Sequence, residues 1–340
     1  MSLAPGAVSI STRMSAVASA PTCPVCLRAT TRACWRGRRD RLFRAAQGAF
    51  DLWQCADCRT RFVHPVPPIA EIASWYPENY WIGPSDRRDG AGVSGGLLER
   101  YRRFVLRDHV RFVGRVVQAQ RAAGAPVRVL DVGCGDGSFL EALGVSGSVG
   151  MDLSVPALQA VRARGFTGVR GTLDDCPLRP GSFSLVTAFH FLEHVHPIDS
   201  ALAAMRTLLR PGGDLVVQVP NADCLQARLL GKWWACYDVP RHLVNYSART
   251  LRQTLERCGF EVLAENHHCL RDNPTTLANS LVPSLYPPGR MSRAGGDGGA
   301  LGAVANLAYL GITLASMPFA WFEALLGKGA SVMLHARPRP

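Results

Sequence analysis

An apolar strand that runs directly into a glycine-rich turn constrains this 340-residue chain more than any other feature. Residues 127–132 read Val-Arg-Val-Leu-Asp-Val, a run typical of a buried parallel strand. Gly133, Gly135 and Gly137 follow, and without Cβ atoms they allow a sharp turn and a close approach to a ligand. Residues 138–143 continue as a predicted helix whose first N–H groups face that turn. The pattern predicts an α/β fold with a ligand at this strand end.

A second apolar strand supports the same fold and adds a carboxylate. Residues 149–152 end in Asp152, roughly 20 residues after the first strand, where Rossmann-like folds place an acid against ribose hydroxyls. Dehydrogenases share this strand-turn-helix-acid order. Here, however, the turn reads D-x-G-C-G-x-G, with Asp131 on the strand itself and no G-x-G-x-x-G. The turn therefore separates this chain from the dinucleotide-binding pattern.

With this turn, the chain resembles the class I S-adenosylmethionine-dependent methyltransferases. The resemblance continues through residues 183–195 (Phe-Ser-Leu-Val-Thr-Ala-Phe-His-Phe-Leu-Glu-His-Val) and residues 208–213 (Leu-Leu-Arg-Pro-Gly-Gly), and it covers roughly residues 100–270. It implies a doubly wound, seven-stranded Rossmann-like sheet whose last strand is antiparallel. It also implies S-adenosylmethionine as the methyl donor.

The resemblance further implies a donor site, although two positions depart from the family pattern. The expected donor residues are Asp131, Gly133, Cys134, Gly135, Gly137, Asp152, Leu153, Thr172, Asp174 and Phe189. The glycines are expected to cradle the methionine end of the donor, Asp152 to bind the ribose diol, and Asp131 to orient the turn. Relatives usually carry an acid directly after the glycine that follows the third strand. Here Thr172 takes that place, and Ser184 replaces the family's acid in the fourth strand.

Residues 190–194 (His-Phe-Leu-Glu-His) suggest a role near the reacting atoms. The H-x-x-E-H spacing matches one class of zinc protease, but that motif requires a helix and this segment follows a predicted strand. Some quinone-precursor O-methyltransferases, which the segment resembles, bind a divalent ion here through Glu193 and His194, with Glu where this chain has His190. Alternatively, Glu193 and His194 organise the loop over the donor. We take His194 as a catalytic candidate.

His242 is the preferred general base, because a hydroxyl acceptor must lose its proton near neutral pH. It lies in a segment that covers the acceptor site in relatives. A structural histidine bonded to the backbone is an equal alternative. Trp233, Trp234 and Tyr237, just before it, would suit a flat or apolar acceptor.

Two C-x-x-C pairs near the N-terminus predict a structural zinc ion. Cys23, Cys26, Cys55 and Cys58 can supply four thiolates to one tetrahedral site, as in a zinc ribbon, and Cys34 is not needed. A redox pair is the alternative. Cys134, Cys176 and Cys258 lie singly within predicted core elements, which fits a reducing cytoplasm.

An uncharged apolar run lies within an insertion before the last strand. Residues 298–322 are long enough to cross a bilayer, but a span would separate the last strand from its sheet. We expect a helical pair broken near Pro318, which packs on the domain, forms a dimer contact or makes a peripheral membrane contact.

These features divide the chain into six parts. The predicted parts are a disordered leader (1–20), the zinc ribbon (21–68), an aromatic linker (69–96), the methyltransferase domain (97–271), the apolar helical insertion (272–330) and the last strand with the C-terminus (331–340). In the linker, residues 75–81 form an aromatic cluster expected between ribbon and catalytic domain, or in the acceptor pocket. Residues 90–96 are expected to be a flexible joint.

Charge leaves several partners open. The formal net charge of +12 is almost entirely arginine, with lysine only at Lys232 and Lys328, and it reads as a solvated basic face or as a surface for anions or membranes. The leading function is methyl transfer to an O or C acceptor on a small molecule, sugar or lipid-linked intermediate. An RNA methyltransferase and a non-catalytic donor-binding module are the alternatives. We expect a cytoplasmic protein, with membrane association as an option.

Overall fold

The computed structural model describes residues 20–76, 93–124, 126–294 and 300–340. Its eleven strands are β1 (Thr31–Arg38), β2 (Phe50–Cys55), β3 (Arg61–Val63), β4 (Val129–Val132), β5 (Val149–Asp152), β6 (Thr167–Arg170), β7 (Phe183–Phe189), β8 (Leu209–Pro220), β9 (Val244–Asn245), β10 (Phe260–Asn266) and β11 (Ser331–Pro338). Its ten α-helices are α1 (Ile69–Ser74), α2 (Val93–Ala122), α3 (Ser138–Leu143), α4 (Val155–Ala163), α5 (Ile198–Leu208), α6 (Leu225–Leu230), α7 (Ala248–Arg257), α8 (Asp272–Leu281), α9 (Pro287–Ala294) and α10 (Ala300–Leu325).

A seven-stranded sheet forms the centre of the fold, with the order β10-β11-β8-β7-β4-β5-β6. Strands β8, β7, β4, β5 and β6 pair in parallel, whereas β11 is antiparallel to both of its neighbours. All four residues of β4 are buried, as a central parallel strand requires. The predicted Rossmann-like fold with an antiparallel last strand is confirmed.

The Pro-Gly-Gly segment at residues 211–213 has a different role from the one expected. In the sequence, residues 198–210 read as a helix that this segment would stop, with the fifth strand starting at Asp214. Helix α5 instead ends at Leu208, and β8 begins at the next residue. The register of β8 on β7 shifts between the Phe183 and Leu185 pairings, so the segment forms a bulge within the strand.

A second sheet joins the N-terminal region to the catalytic domain. Its order is β1-β2-β3-β9, and β9 comes from the region predicted as the methyltransferase domain. Arg61 pairs with Asn245 and Phe62 with Val244. The cysteine-bearing region and the large domain therefore share backbone hydrogen bonds as well as apolar packing.

Two expectations about connecting segments are wrong where the structure describes them. Helix α2 begins at Val93, so the end of the expected joint at 90–96 is helical. Pro318 lies inside one continuous helix, α10, rather than between two. Its missing N–H would have bonded to the carbonyl of Leu314, and both residues lie on the exposed side, so no buried group loses a partner there. The expected leader, apart from its last residue, Ala20, and residues 77–92 of the linker lie outside the described residues.

Helix α10 is long and apolar enough to cross a membrane by length and composition. Its most apolar window has a mean hydropathy of 1.5, and 17% of that window is buried. Length and composition alone do not distinguish a membrane helix from the core helix of a soluble protein. The burial of each face of α10 is the further observation that bears on its environment.

Candidate active site

The glycine turn between β4 and α3 has the backbone geometry that the sequence predicts. Gly133 and Gly137 have φ angles of 71° and 78°, in the left-handed region that favours glycine. A Cβ on Gly137 would lie 3.0 Å from Val161 Cγ2, and one on Gly133 would lie 3.2 Å from Phe191 Cδ2. Backbone conformation and close packing therefore both exclude larger residues from this turn.

Asp152 connects the end of β5 to this turn. Its carboxylate accepts hydrogen bonds from the backbone N–H of Gly135 at 3.1 Å and of Ser154 at 2.8 Å. Burial raises the pKa of Asp152, while these N–H groups oppose that rise. The carboxylate thus faces the turn from the neighbouring strand, which is the geometry that its predicted ribose-binding role requires.

Asp131 lies deeper, within the sheet. Its Oδ1 accepts a hydrogen bond of 2.7 Å from the Thr187 hydroxyl on β7. Burial raises the pKa of Asp131 to about 7, and the charge of Asp152 adds to the rise. Asp131 therefore fixes β4 against β7 below the turn, in keeping with an orienting role.

Two predicted donor residues have buried or packed side chains. Cys134 packs with Leu158 and Val161, so its thiol faces helix α4. The ring of Phe189 lies edge-on to Phe139, with ring centroids 4.8 Å apart. Cys134 could therefore contact a donor only through its backbone, and Phe189 only through the rim of its ring.

The remaining predicted donor residues lie exposed near the ends of β5 and β6. Leu153 is 58% exposed directly after Asp152. The Thr172 hydroxyl accepts a hydrogen bond from the Asp175 N–H at 3.2 Å, and Asp174 is exposed beside it. An apolar side chain and a polar turn at this edge suit a flat base with exocyclic nitrogen, and both roles stay predictions.

The loop after β7 lies against the donor turn. Phe191 packs on Gly133, and Leu192–His194 forms a single 3-10 turn. This segment lacks the helix that an H-x-x-E-H zinc site needs, as expected. Phe191 therefore places the start of this loop beside the donor turn.

His190 does not join the other site histidines. Its Nδ1 lies 3.2 Å from Glu193 Oε1, and its Nε2 lies 3.0 Å from Asp272 Oδ2. Although burial opposes the charged ring, these two carboxylates raise the pKa of His190 to about 9. His190 is thus an imidazolium held between two acids.

Sequence reasoning missed Asp272, which organises this corner of the site. Its carboxylate also accepts hydrogen bonds from Gln218 Nε2 at 2.8 Å and Arg271 Nε at 2.8 Å. More than 80 positions separate Asp272 from His190. No local sequence pattern could have linked them, because His190 follows β7 whereas Asp272 begins α8, at the start of the insertion.

His194 and His242 lie together, with ring centroids 4.7 Å apart. His194 Nδ1 donates to the Arg241 carbonyl at 3.0 Å and lies 2.9 Å from the Tyr76 hydroxyl, and His242 Nδ1 donates to the Cys236 carbonyl at 2.8 Å. In each neutral ring the lone pair is then on Nε2. Burial, with His242 nearby, lowers the pKa of His194 to about 4, so that ring is neutral at physiological pH.

Glu193 completes this cluster. It is buried, and its Oε2 has no hydrogen-bond partner among the described residues. Each of Glu193, His194 and His242 offers one ligand atom, and these three atoms lie within 4.8 Å of one another. The set that could hold a divalent ion therefore contains His242, where the sequence resemblance pointed to His190.

The aromatic residues before His242 do not form the acceptor surface that we expected. Trp234 and Tyr237 are buried against each other and against the N-terminal sheet, with Tyr237 also edge-on to Trp35. Trp233 is exposed on another side. Tyr76, one of the expected aromatic residues, reaches the site through His194, whereas Tyr80 and Trp81 lie outside the described residues.

The four predicted zinc ligands converge. Sγ of Cys23 lies 3.5 Å from Sγ of Cys58, Sγ of Cys26 lies 3.5 Å from Sγ of Cys55, and all four lie within 4.8 Å. Zn–S bonds of 2.3 Å in a tetrahedron require sulfur separations of roughly 3.8 Å. The geometry therefore fits one zinc ion.

The two cysteine turns have the same backbone. Leu27 N–H donates to the Cys23 carbonyl and Arg59 N–H to the Cys55 carbonyl, and both donors have positive φ. The two C-x-x-C pairs thus lie on turns of the same kind, and their four sulfur atoms converge on one point. Cys34 lies outside the group of converging thiols.

A buried ion pair joins the cysteine-bearing region to the site. Arg241 directs both Nη atoms at Asp40 at 2.8 Å and also binds Asp238. Burial opposes the ionisation of Asp40, but the Arg241 guanidinium outweighs it and lowers the pKa of Asp40 to about 2. The Arg241 carbonyl accepts from His194, so this pair supports the histidine cluster from behind.

Comparison with known families supports the same identity for the large domain. The family model described as "Methyltransferase domain" matches residues 98–265. An enzyme named ubiquinone biosynthesis O-methyltransferase from Thiobacillus denitrificans is 39% identical over 169 residues, which cover 46% of this chain and 73% of the relative. A protein of the same name from Ralstonia nicotianae is 32% identical, over 39% of this chain and 60% of the relative.

Among solved structures, an S-adenosylmethionine-dependent methyltransferase from Mesorhizobium loti aligns with a TM-score of 0.39 and 21% identity, covering 65% of this chain and 96% of that one. The matched region of the family model begins near α2 and leaves the cysteine-bearing region and the insertion without a counterpart in that model.

Proposed function

We propose that this chain, which belongs to the class I S-adenosylmethionine-dependent methyltransferases, is an O-methyltransferase that acts on a small molecule. The family fixes the donor and the enzyme class. The choice of an oxygen acceptor rests on the polar cluster beside the donor turn and on the relatives, whose names state O-methylation.

The observation that carries the proposal is the cluster of Glu193, His194 and His242. The loop that bears Glu193 and His194 touches the donor turn through Phe191 and Gly133. A hydroxyl acceptor loses a proton as it gains a methyl group, so an O-methyltransferase needs a base near the reacting sulfur.

The donor carries its own leaving group, so the protein mainly aligns the donor and the acceptor. We assign ribose binding to Asp152, support of the turn to Asp131, and contacts with the base to Leu153, Thr172 and Asp174. The left-handed backbone at Gly133 and Gly137 gives the turn along which the methionine part would lie.

We assign His242 as the residue that receives the acceptor's proton. Its Nδ1 donates to the Cys236 carbonyl, which leaves Nε2 as the ring nitrogen that can accept a proton. His194, neutral and fixed on the Arg241 carbonyl, positions the acceptor. The same set fits a divalent ion, held by Glu193, His194 and His242, which when bound would lower the pKa of the acceptor hydroxyl.

We also propose that Cys23, Cys26, Cys55 and Cys58 hold a structural zinc ion. A closed set of four thiolates leaves no open position for a substrate. The ion would stabilise the short N-terminal sheet and, through Asp40 and Arg241, the histidine cluster.

Incubation of the purified chain with methyl-labelled donor and cell extract separated into small-molecule, lipid, glycan and RNA fractions tests this function. We expect labelled product in the small-molecule or lipid fraction, with the methyl group on oxygen by mass spectrometry. Chelator followed by Mg²⁺ distinguishes an ion from His242 acting alone, since only ion-dependent activity is lost and restored. Label confined to RNA would contradict the proposal.

A further inference from the structure

The two faces of α10 are the reverse of those of an ordinary surface helix. Its buried residues are small or polar: Gly302, Thr313, Ser316, Ala320, Glu323 and Ala324. Its exposed residues include large apolar side chains: Leu301, Val304, Leu307, Leu314, Trp321 and Leu325. Leu307 is 68% and Trp321 62% exposed. A helix of a globular domain normally turns its apolar side inward, so this face requires another apolar environment.

Helix α10 lies along the protein rather than projecting from it. The Tyr309 hydroxyl donates to Asn279 Oδ1 on α8 at 2.8 Å. Near the other end, the buried Glu323 carboxylate accepts hydrogen bonds from Gln226. Strand β11 begins six residues after α10 ends and pairs within the central sheet. The apolar face is therefore a lateral surface of the domain, about 39 Å long at 1.5 Å per residue.

A strongly basic cavity of about 550 Å³ lies between the segment of residues 37–48 and Trp233. Arg38, Arg39, Arg41, Arg44 and Trp233 are among its lining residues. The guanidinium groups of Arg38 and Arg41 lie 5.5 Å and 5.2 Å from the centre of the Trp233 ring. The ammonium group of Lys232 is also 5.2 Å from that ring.

Among the described residues, nothing in the cavity neutralises these cations. The one acidic residue in its described lining, Asp40, is committed to Arg241. Within the described part of the chain, Arg38 and Arg41 donate to backbone carbonyls, namely those of Lys232, Trp233 and Ser280. An excess of positive charge around an exposed indole therefore remains for an anionic partner.

The cavity and the apolar face are attached to the same elements. Arg41 Nη2 donates to the Ser280 carbonyl near the end of α8, at 2.9 Å, and α10 packs along α8. Phe43, from the loop that carries the arginines, lies edge-on to Tyr286. Tyr286 in turn lies 6.5 Å from Tyr309 of α10 between ring centroids. Cationic and apolar surfaces are thus neighbours.

We propose that the exposed face of α10 lies in the interface of a phospholipid membrane, with the arginine cavity on the phosphates of anionic lipids. Leucine and tryptophan side chains would enter the upper part of the bilayer, as in monotopic proteins, and the arginines would add electrostatic attraction. A second copy of the chain suits this face less well, because a symmetric contact would bring two uncompensated arginine cavities together.

Sedimentation of the full chain with vesicles tests the proposal independently of methyl transfer. We expect binding to vesicles that contain one third phosphatidylglycerol, weaker binding to pure phosphatidylcholine, and loss of the difference at high salt. Leu307→Glu with Leu314→Glu should reduce binding at least tenfold to both vesicles. Arg39→Gln with Arg44→Gln should remove the preference for the anionic vesicles. These four side chains are exposed, so circular dichroism should show a folded protein.

Matched controls are Leu263→Glu, on an exposed leucine of the edge strand β10, and Arg115→Gln with Arg121→Gln, on exposed arginines of α2. Both should bind vesicles as the unchanged chain does. Failure of the unchanged chain to sediment with either vesicle would overturn the proposal. So would a lipid-free dimer that Leu307→Glu dissociates, since the face would then be a contact between copies. If inorganic phosphate at millimolar concentration bound in the cavity and vesicles did not compete with it, the cavity would be a site for a free anion. That result would also overturn the proposal.

Discussion

The donor and acceptor parts of the active site are built in opposite ways. The centre of the donor part comes from one stretch of chain, Asp131 to Asp152, in which the backbone N–H of Gly135 donates to the Asp152 carboxylate. The acceptor part brings together Tyr76, Glu193, His194 and His242 from three separate regions. One part is therefore local in sequence, and the other exists only in the folded chain.

This difference implies that the two parts depend on different supports. The donor turn rests on the centre of the main sheet, where β4 and β5 are buried on both faces. The histidine cluster rests on Arg241 and hence on Asp40 in the N-terminal region. Damage to that region should impair the acceptor part and leave donor binding intact.

Replacement of His242 should give the largest effect on turnover. We expect His242→Gln to lower kcat by about 10²–10⁴-fold, the usual contribution of a general base, while the donor Kd changes less than twofold. Methyl-transfer kinetics and donor calorimetry measure the two quantities. His196→Gln, an exposed histidine on the neighbouring loop, is the control and should retain full activity. Equal loss of donor affinity would mean that the two parts are not separable.

Replacement of Asp40 tests the support of the acceptor part. Asp40→Asn leaves Arg241 with Asp238 as its only acidic partner among the described residues, and we expect a loss of about 2–4 kcal/mol of unfolding free energy. Turnover should fall while the donor Kd stays constant. Asp199→Asn breaks an exposed pair with Arg257 and should cost less than about 1 kcal/mol in denaturant titrations. Similar losses for both variants would remove the special role of the buried pair.

Replacement of Asp152 tests the donor part alone. Asp152→Ala should weaken donor binding by about 10–100-fold, because a buried carboxylate typically contributes a charge-assisted bond of about 1.5–3 kcal/mol to each partner. Thermal stability in the presence of donor should show the same loss. Asp174→Ala, tested beside it, shows whether the exposed turn contributes to binding of the base. An unchanged donor Kd in Asp152→Ala would contradict the assignment.

The pH dependence of stability concerns Asp131. Burial raises its folded pKa to about 7, above the ordinary value near 4, so the folded state holds a proton that the unfolded state has released. This contribution lowers stability as pH rises from about 4 to 7, by up to about 4 kcal/mol. Asp131→Asn should reduce that decline in urea titrations at pH 5 and pH 8. A decline of the same size in the variant would assign it to other groups.

Much of the donor part could be predicted from sequence, because its determinants are adjacent along the chain. The apolar run before Gly133 and the acid that ends β5 predict a strand, a turn, a helix and a second strand in order, and the structure has them. The cysteine pairs were equally readable, since each C-x-x-C turn is local. These parts of the site could therefore be predicted from local sequence, without knowledge of the tertiary fold.

The acceptor part was only partly predictable. His194 and His242 were identified individually, but their contact depends on Arg241 and on the return of β9 to the N-terminal sheet. Asp272, which holds His190, was missed because it lies in the insertion. Trp234 and Tyr237 were misassigned because an aromatic segment looks the same in sequence whether it lines a pocket or fills a core. Such contacts require the fold.

The most direct test of this account is a crystal structure of the chain with S-adenosylhomocysteine. The account predicts ribose hydroxyls on the Asp152 carboxylate, the amino-acid part along the turn at Gly133–Gly137, and the sulfur directed toward His194 and His242. A product molecule bound elsewhere, or one whose sulfur points away from that histidine pair, would contradict it.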